Sequence, residues 1–479
     1  MSRARVTRAT AHTCALGALA ASLCVQSSCN DESLDPRKPP QAIEPLGIFS
    51  PTRPADPTMA ARDALLRDAR RREARFLDTA NPGFFLARSS PDANDIFAGA
   101  YPPDVLYEFG AQLFHYHFTL SDGLGTDAVP FPTRVQKGTT AAETTSCASC
   151  HLRGGMAGAG DASTNTYLFG DGDRPSSGLT RNARSLTGAG WIELVASEMT
   201  RDLRAWRASC VNSAKESGFL ETAPLLSKGV DFGTLVCSPD GSVDTSDVQG
   251  VDVSLEVRPF GWKGTTSSIR QTVREELRTH LGLDMDTGEI TEGQLAAITT
   301  MLALGDTPIV EMPDTSFAPV SFWAEGYVLF EEIGCAACHA PSLPLDNPRL
   351  RIGDPNVGFT VDLSRYGSFP KPDTDSEGVL QIRLFSDLKR HDLGDDLADA
   401  KSDRGVSPSQ WITPPLWDIA RTRPYLHDGR APTLHDAIVQ HGGEAAESRD
   451  AYVDLGEEGQ GPIRVFLMSL TREKRYASP

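Results

Sequence analysis

Two copies of the pattern Cys-x-x-Cys-His constrain this chain more than any other feature. The copies are formed by Cys147, Cys150 and His151 and by Cys335, Cys338 and His339. This pattern is typical of covalent haem attachment, in which two thioether bonds hold the porphyrin and the histidine becomes the proximal iron ligand. The alternatives are a four-cysteine zinc site, which needs no trailing histidine, and a thioredoxin-like pair, which lies in a βαβ pattern not seen here. We therefore expect two covalently bound haem c groups.

The first 29 residues have the pattern of an export signal. Three arginines precede an apolar stretch at 14–25 that is too short to span a bilayer. Cys29 follows small residues as in a bacterial lipobox, but Gln26 stands where leucine is usual, so a lipid anchor at Cys29 and ordinary signal cleavage are both open. Residues 30–57 are rich in Pro, Asp and Ser and are predicted to form a flexible tether. Both alternatives predict export to the periplasm or the outer membrane.

The cysteines indicate the cellular compartment of the protein, and the net charge indicates which kinds of partner it binds. Three of the nine cysteines lie in the leader and four belong to the haem patterns, which leaves Cys210 and Cys237. In an oxidising compartment a disulfide is the expected use of this pair. The net charge of -18 argues against nucleic acid as a partner. It favours encounter with a basic electron-transfer protein, a small cytochrome c or cupredoxin.

Three landmarks recur in the same order in both halves of the chain. A Gly-x-x-Leu-Phe segment, at Gly110 and again at Gly326, precedes each haem pattern, and a helical apolar pattern follows each one. A helix, a haem-binding loop and a closing helix make up a cytochrome c domain. The sequence therefore predicts a mainly α fold with two such domains in tandem, residues 58–312 and 313–479. Loop-rich insertions fall in the first domain, one of them at about 210–253.

Two further elements are predicted after this insertion. Residues Ser254–Val257 are expected to form a short strand. The apolar residues of Ser267–Leu281 recur every three to four positions, which predicts a helix, and Thr265 is expected to cap it.

The sixth ligand of each iron decides the function, because an iron with two strong ligands passes electrons whereas an open one can bind peroxide. After His339 the chain has one methionine, Met468, and it lies in an apolar helical pattern. His441 falls on the apolar face of a helix that Thr433 would cap. We therefore expect His339 and His441 to ligate the second iron, with His391 as the weaker alternative.

The first iron has several candidate ligands. His115, His117 and Met199 are the candidates, and an open sixth position is the alternative. If the position is open, a nearby acid or base would move protons during cleavage of the O–O bond. Glu193 is the candidate for this role, although a glutamate in the first turn of a helix is also favoured by the helix dipole.

Six segments carry a family resemblance: Val257–Gly264, Phe385–Leu388, His391–Gly394, Thr413–Trp417, Leu426–Arg430 and Ile438–Ala445. They resemble the di-haem oxidoreductase family, whose members are labelled thiol oxidoreductases or peroxidases. The chain resembles bacterial di-haem cytochrome c peroxidases and MauG-type enzymes more distantly. In those peroxidases a methionine ligates the C-terminal haem at the position that matches His441.

The resemblance implies an enzyme in which the C-terminal bis-histidine haem relays electrons to the N-terminal haem. The N-terminal haem would reduce hydrogen peroxide or oxidise a small-molecule substrate. Trp262 would carry electrons between the haems or pack in the core, and Arg258 and Lys263 would pair with haem propionates. Relatives also hold calcium between their domains, although no ligands for it are apparent here. The alternative is a non-catalytic electron carrier with both irons six-coordinate.

Overall fold

The structure is a computed structural model of the 479-residue chain. It describes residues 91–125, 135–137, 142–306, 308–311, 318–354, 356–367 and 371–472. The predicted export signal and tether lie outside these residues.

Nine α-helices occur in the described residues. They are α1 (Ala93–Phe97), α2 (Pro103–His115), α3 (Ala189–Ser217), α4 (Ile269–Glu276), α5 (Glu292–Ala303), α6 (Val320–Glu332), α7 (Leu434–Ile438), α8 (Ala446–Asp454) and α9 (Gly456–Met468). Helix α4 continues as a π-helical turn over Leu277–Leu281. Its N-cap is Ser268, whose side chain accepts a hydrogen bond from the amide of Gln271, so the expected cap at Thr265 is wrong by three residues. No helix in these ranges is long and apolar enough to cross a membrane.

The same ranges contain fifteen short strands in six small sheets. Three sheets have three strands, in the orders β1-β2-β3, β4-β5-β6 and β11-β12-β8, and three are pairs, β10-β9, β13-β14 and β15-β7. The strands are β1 (Val135–Lys137), β2 (Thr166–Gly170), β3 (Leu179–Arg181), β4 (Glu221–Ser227), β5 (Val230–Cys237), β6 (Val243–Asp244), β7 (Pro308–Val310), β8 (Leu343–Leu345), β9 (Arg349–Gly353), β10 (Gly358–Asp362), β11 (Asp373–Thr374), β12 (Leu380–Ile382), β13 (Arg390–Asp392), β14 (Gln410–Ile412) and β15 (Leu470–Arg472).

The expectation of a mainly α fold is wrong. Helices of all types make up 38% of the described residues and strands 18%. Segments that the sequence predicted to be loops form short paired strands instead. This pairing gives their backbone amides and carbonyls hydrogen-bond partners. The predicted strand Ser254–Val257 does not form. Instead the amide of Val257 donates to the side-chain oxygen of Thr200, at 2.9 Å.

The predicted disulfide between Cys210 and Cys237 is confirmed. It joins the long helix α3 to β5, and the Cα atoms of the two cysteines are 5.9 Å apart. Both residues are buried. The disulfide therefore holds the antiparallel sheet β4-β5-β6, most of the predicted insertion, against the C-terminal half of α3.

The two repeated glycines lie at equivalent helix crossings. A Cβ atom at Gly110 in α2 would lie 2.2 Å from the carbonyl oxygen of Ala297 in α5. A Cβ atom at Gly326 in α6 would lie 2.0 Å from the carbonyl oxygen of Pro462 in α9. Interiors are close-packed, so neither backbone can approach this closely past a side chain. The internal repeat therefore corresponds to two helix pairs, each beside one haem pattern.

Two apolar clusters fill the interior. The larger one contains Phe114 and Met199 from the first half together with Leu343 and Leu388 from the second. The smaller one surrounds Phe330, Phe385 and Phe466, whose rings contact one another. Packing of the larger cluster thus joins both halves of the sequence.

We expect Gly326→Ala to lower the free energy of unfolding by about 1–3 kcal/mol, because the new methyl group overpacks the α6–α9 crossing. The loss should appear even though alanine favours a helix over glycine by about 1 kcal/mol. Gly461→Ala in α9 is the matched control, since its Cβ would meet only the Phe322 ring, at 3.3 Å. Urea unfolding measures both variants, and equal effects would contradict the role of Gly326.

Candidate functional site

The first haem pattern presents a neutral imidazole to a large cavity. Cys147–Ser149 form a short 3-10 turn, and the amide of His151 donates to the carbonyl of Cys147 at 3.0 Å. The Nδ1 atom of His151 lies 3.1 Å from the carbonyl oxygen of Gly158 and 3.0 Å from that of Arg184. Because carbonyls only accept, Nδ1 carries the proton and Nε2 keeps its lone pair. Burial lowers the pKa of His151, which also favours the neutral ring.

The second pattern repeats this arrangement. Its 3-10 turn covers Cys335–Ala337, and Nδ1 of His339 donates to the carbonyl of Phe385 at 2.9 Å. Burial lowers the pKa of His339 to about 4. Phe114 and Phe330, which end the two repeated Gly-x-x-Leu-Phe segments, place their rings 6.2 Å and 6.5 Å from the rings of His151 and His339. The repeat thus extends from the helix crossing to the environment of each histidine.

The cysteines do not have the properties of a reactive dithiol. Burial raises the pKa of Cys147 to about 12 and that of Cys335 to about 11. Redox-active cysteines of the thioredoxin type instead have a lowered pKa, because the thiolate is the nucleophile. The environment of both patterns therefore disfavours the redox-pair alternative.

A cavity lies beside each pattern. The first, lined by Cys147, Cys150 and His151, contains about 1520 Å³ of empty space with its mouth included. The second, lined by His339, contains about 1110 Å³, again with its mouth included. The walls of both cavities are largely apolar, and this surface together with the half-buried histidines fits haem.

His339 shares the second cavity with His441. The Nδ1 atom of His441 donates to the carbonyl of Ala437 at 2.9 Å, as that of His339 does to Phe385. Within the described part of the chain, neither Nε2 atom has a hydrogen-bond partner. His391 differs, since its two ring nitrogens lie 2.8 Å from a carboxylate oxygen of Asp387 and 2.7 Å from one of Glu444. His441 is therefore better placed than His391 to act as an iron ligand.

The first cavity contains an acid–base group that the sequence analysis missed. Glu276 and His280 both line it, and Nε2 of His280 lies 2.6 Å from a carboxylate oxygen of Glu276. The Nδ1 atom of His280 forms a very short hydrogen bond with a carboxylate oxygen of Glu143, whose side chain is fully buried. We call these residues the Glu–His–Glu triad.

The triad combines an ionised carboxylate with a protonated imidazole. Burial opposes the charged form of His280, but Glu276 and Glu143 outweigh it and raise its pKa well above the usual value. Burial likewise opposes the charge of Glu276, and His280 overcomes it to leave that pKa lowered. Burial raises the pKa of Glu143. The spacing of four residues between Glu276 and His280 in a predicted helix was the available sequence signal.

Comparison with known proteins supports the haem chemistry of the second half. The family model described as "Di-haem oxidoreductase, putative peroxidase" matches residues 312–470. The match covers 159 of the 479 residues. It confirms the resemblance noted in the sequence, and a di-haem family implies haem cofactors.

Two solved structures show weaker similarity to this chain. Hydrazine synthase of Kuenenia stuttgartiensis is 15% identical, with 80% of this chain and 94% of that chain covered, at a TM-score of 0.36. A MauG-like protein associated with microbial copper homeostasis is also 15% identical, with 59% and 90% covered, at a TM-score of 0.27. No curated protein sequence matches the chain.

The sequence-based candidates for the sixth ligand of the first iron do not line the first cavity. His115 and His117 are exposed, and their Nδ1 atoms bond the carbonyl of Ala111 and the hydroxyl of Thr145. Met199 is buried in the larger apolar cluster. Among the described residues that line this cavity, the histidines are His151 and His280.

Glu193 and Trp262 have different surroundings. A carboxylate oxygen of Glu193 accepts from the amide of Ile269 at 2.7 Å, at the start of α4, and burial raises the pKa of Glu193 to about 7. Glu193 is not among the residues lining the first cavity. Trp262 lines both cavities, and its Nε1 donates to the carbonyl of Asn182 at 2.7 Å. Trp262 is thus the sequence-based candidate that lies between the two sites.

The cations expected to hold propionates already have protein partners. Arg258 forms ion pairs with Asp252 at 2.7 Å and Glu256 at 3.0 Å. Lys263 is buried, lies 3.2 Å from a carboxylate oxygen of Asp399, and donates to three backbone carbonyls. Because both charges are already paired within the protein, neither side chain is placed to bind a haem propionate.

The calcium ion that the resemblance implied needs a site with several oxygen ligands. In the described ranges, one group of at least three side chains could hold a metal ion: Cys338, Asp387 and His391. Calcium prefers six to eight oxygen ligands, so a thiol and an imidazole are unsuitable. This cluster does not provide the calcium site that the resemblance implied.

We expect His441→Ala to convert one ferric haem from low spin to high spin, because the variant loses the imidazole that faces His339. Electron paramagnetic resonance of the purified ferric protein measures the change. His435→Ala is the control, since the ring of His435 in the same helix bonds the hydroxyl of Tyr452 instead. Unchanged low-spin signals in His441→Ala would exclude His441 as a ligand.

Proposed function

We propose that this chain is an exported di-haem enzyme of the peroxidase type, located in the periplasm or at the outer membrane. Both haems are attached through their Cys-x-x-Cys-His patterns. His339 and His441 would hold the C-terminal haem, which would take electrons from a small soluble protein, and Trp262 would carry them towards the N-terminal haem. When bound, the N-terminal haem would supply the chemistry that reduces hydrogen peroxide or oxidises a small molecule.

The difference between the two cavities is the observation that carries this proposal. The second cavity contains His339 and His441, whose Nδ1 atoms both donate to backbone carbonyls, which suits a six-coordinate centre that only passes electrons. The third histidine that lines it, His427, is stacked on the Trp411 ring. In the first cavity, both ring nitrogens of His280 are bonded to carboxylates. To become a ligand, His280 would have to lose the proton and the charge-assisted hydrogen bond of the ligating nitrogen. The first site therefore favours an open iron position faced by an acid–base group.

When bound, the first haem supplies the binding position for peroxide and the electrons for its reduction. Reduction of hydrogen peroxide to two waters also consumes two protons. The Glu276 carboxylate, ionised and on the cavity wall, takes a proton from one peroxide oxygen and returns it to the oxygen that leaves as water. His280 holds a proton at Nε2, 2.6 Å from Glu276, and can resupply the carboxylate. Glu143 orients the ring through Nδ1.

The partner and location follow from the sequence. A chain with a net charge of -18 attracts a basic donor at low ionic strength. A basic n-region followed by a short apolar stretch supports export. A lipid anchor at Cys29 would confine the enzyme to a membrane surface.

We expect Glu276→Gln to slow the reaction with hydrogen peroxide by about 10²–10⁴-fold, the usual contribution of a general acid–base group. Stopped-flow absorbance of the purified protein with both haems measures the rate. Glu275→Gln is the matched control, because this neighbouring carboxylate pairs with Arg404. Glu193→Gln tests the sequence-based candidate, and a larger loss there would transfer the role to Glu193.

One result would reject the proposal that this chain is an enzyme. If both ferric haems of the unmodified protein are low spin and peroxide leaves their spectra unchanged, the chain is an electron carrier with two six-coordinate irons.

A further inference from the structure

Arg184 is a cation in the wall between the two cavities that lacks a carboxylate partner. Its guanidinium donates to the carbonyl of Gly261 at 2.8 Å and lies 5.5 Å from the centre of the Trp262 ring. Within the described ranges no carboxylate pairs with it. Burial alone lowers the pKa of Arg184, to about 10. Arg184 is half-buried, and a charge that is partly removed from water is normally paired because its desolvation is costly.

The other cations of the first cavity are already neutralised. Arg181 contacts a carboxylate oxygen of Asp399 at 2.7 Å and one of Asp403 at 3.0 Å. Arg404 pairs with Glu275. Lys263 also pairs with Asp399, as described above. Arg184 therefore differs from its neighbours in having only carbonyl partners.

Arg184 also reaches both sites. It lines the first and the second cavity, and in the described part of the chain it is the one lysine or arginine that lines the second. A guanidinium has five N–H donors in a planar fork, so one arginine can bind two carboxylates at once. Each haem carries two propionates, which need compensation when they are buried. The missing negative charge beside Arg184 therefore matches the charge that haem would bring.

We propose that Arg184 is a shared propionate-binding residue, which pairs with a propionate of each haem across the wall that separates them. The proposal rests on the two haems of the proposed function and is independent of peroxide chemistry. It replaces Arg258 and Lys263 in this role. A fixed positive charge beside both porphyrins stabilises the reduced irons, and so raises both midpoint potentials.

Spectroelectrochemical titration of Arg184→Gln with both haems attached tests the assignment. Both midpoint potentials should fall, because the variant loses the shared charge but keeps a polar side chain. Arg184→Lys keeps the charge without the fork, so its potentials should fall less. Arg404→Gln is the control: it lines only the first cavity, and the C-terminal potential should not move.

Haem content per chain and circular dichroism check that each variant is folded and loaded. Unchanged potentials in Arg184→Gln, or a shift of one haem alone, would overturn the shared role. If Arg184→Gln does not fold, resonance Raman spectra of the native protein and Arg184→Lys decide the question, since the propionate bending bands of both haems should shift. An electron carrier that ignores peroxide would still show these shifts, so failure of the proposed function is distinguishable.

Discussion

Both candidate haem sites depend on hydrogen bonds from the Nδ1 atoms of three half-buried imidazoles to backbone carbonyls. His151, His339 and His441 all donate in this way, so all three turn Nε2 away from the backbone. A partner on the second nitrogen fixes both the tautomer and the ring orientation of a metal-binding histidine. The loop at Phe385 is shaped for this contact: its φ of 50° lies in the left-handed region, which non-glycine residues rarely adopt. Strain of this kind persists where the surroundings require it.

The two sites share this construction and differ in the other side chains that line them. The second cavity also contains the imidazole of His441, whereas the first contains a carboxylate and an imidazole that neutralise each other. Identical haem patterns can thus serve different roles, because the residues that decide reactivity come from elements other than the attachment loops. Arg184 and Trp262 lie in the wall common to both. A substitution of either residue would therefore affect both sites.

Sequence reasoning succeeded where the pattern was local or repeated. The haem patterns, the glycines at 110 and 326 and the leftover cysteines each predicted a feature from residue type and spacing. It failed for the small sheets, because strands of two to eight residues carry too little alternation to be distinguished from loops. It also missed the Glu–His–Glu triad, since Glu143 and His280 are 137 positions apart. Glu193 was the candidate for proton transfer, but its carboxylate accepts a hydrogen bond from the amide of Ile269 and does not line the first cavity.

The π-helical turn at Leu277–Leu281 has a consequence for how this site can evolve. A π-turn adds one residue to the helical repeat, and such turns occur often at functional sites. Loss of a single residue there would restore regular α-helix and rotate everything beyond it by about 100°. His280 would then point away from Glu143, whereas the residues of both haem patterns lie outside the turn. Deletion of one codon would thus remove the proposed acid–base group without changing either haem pattern.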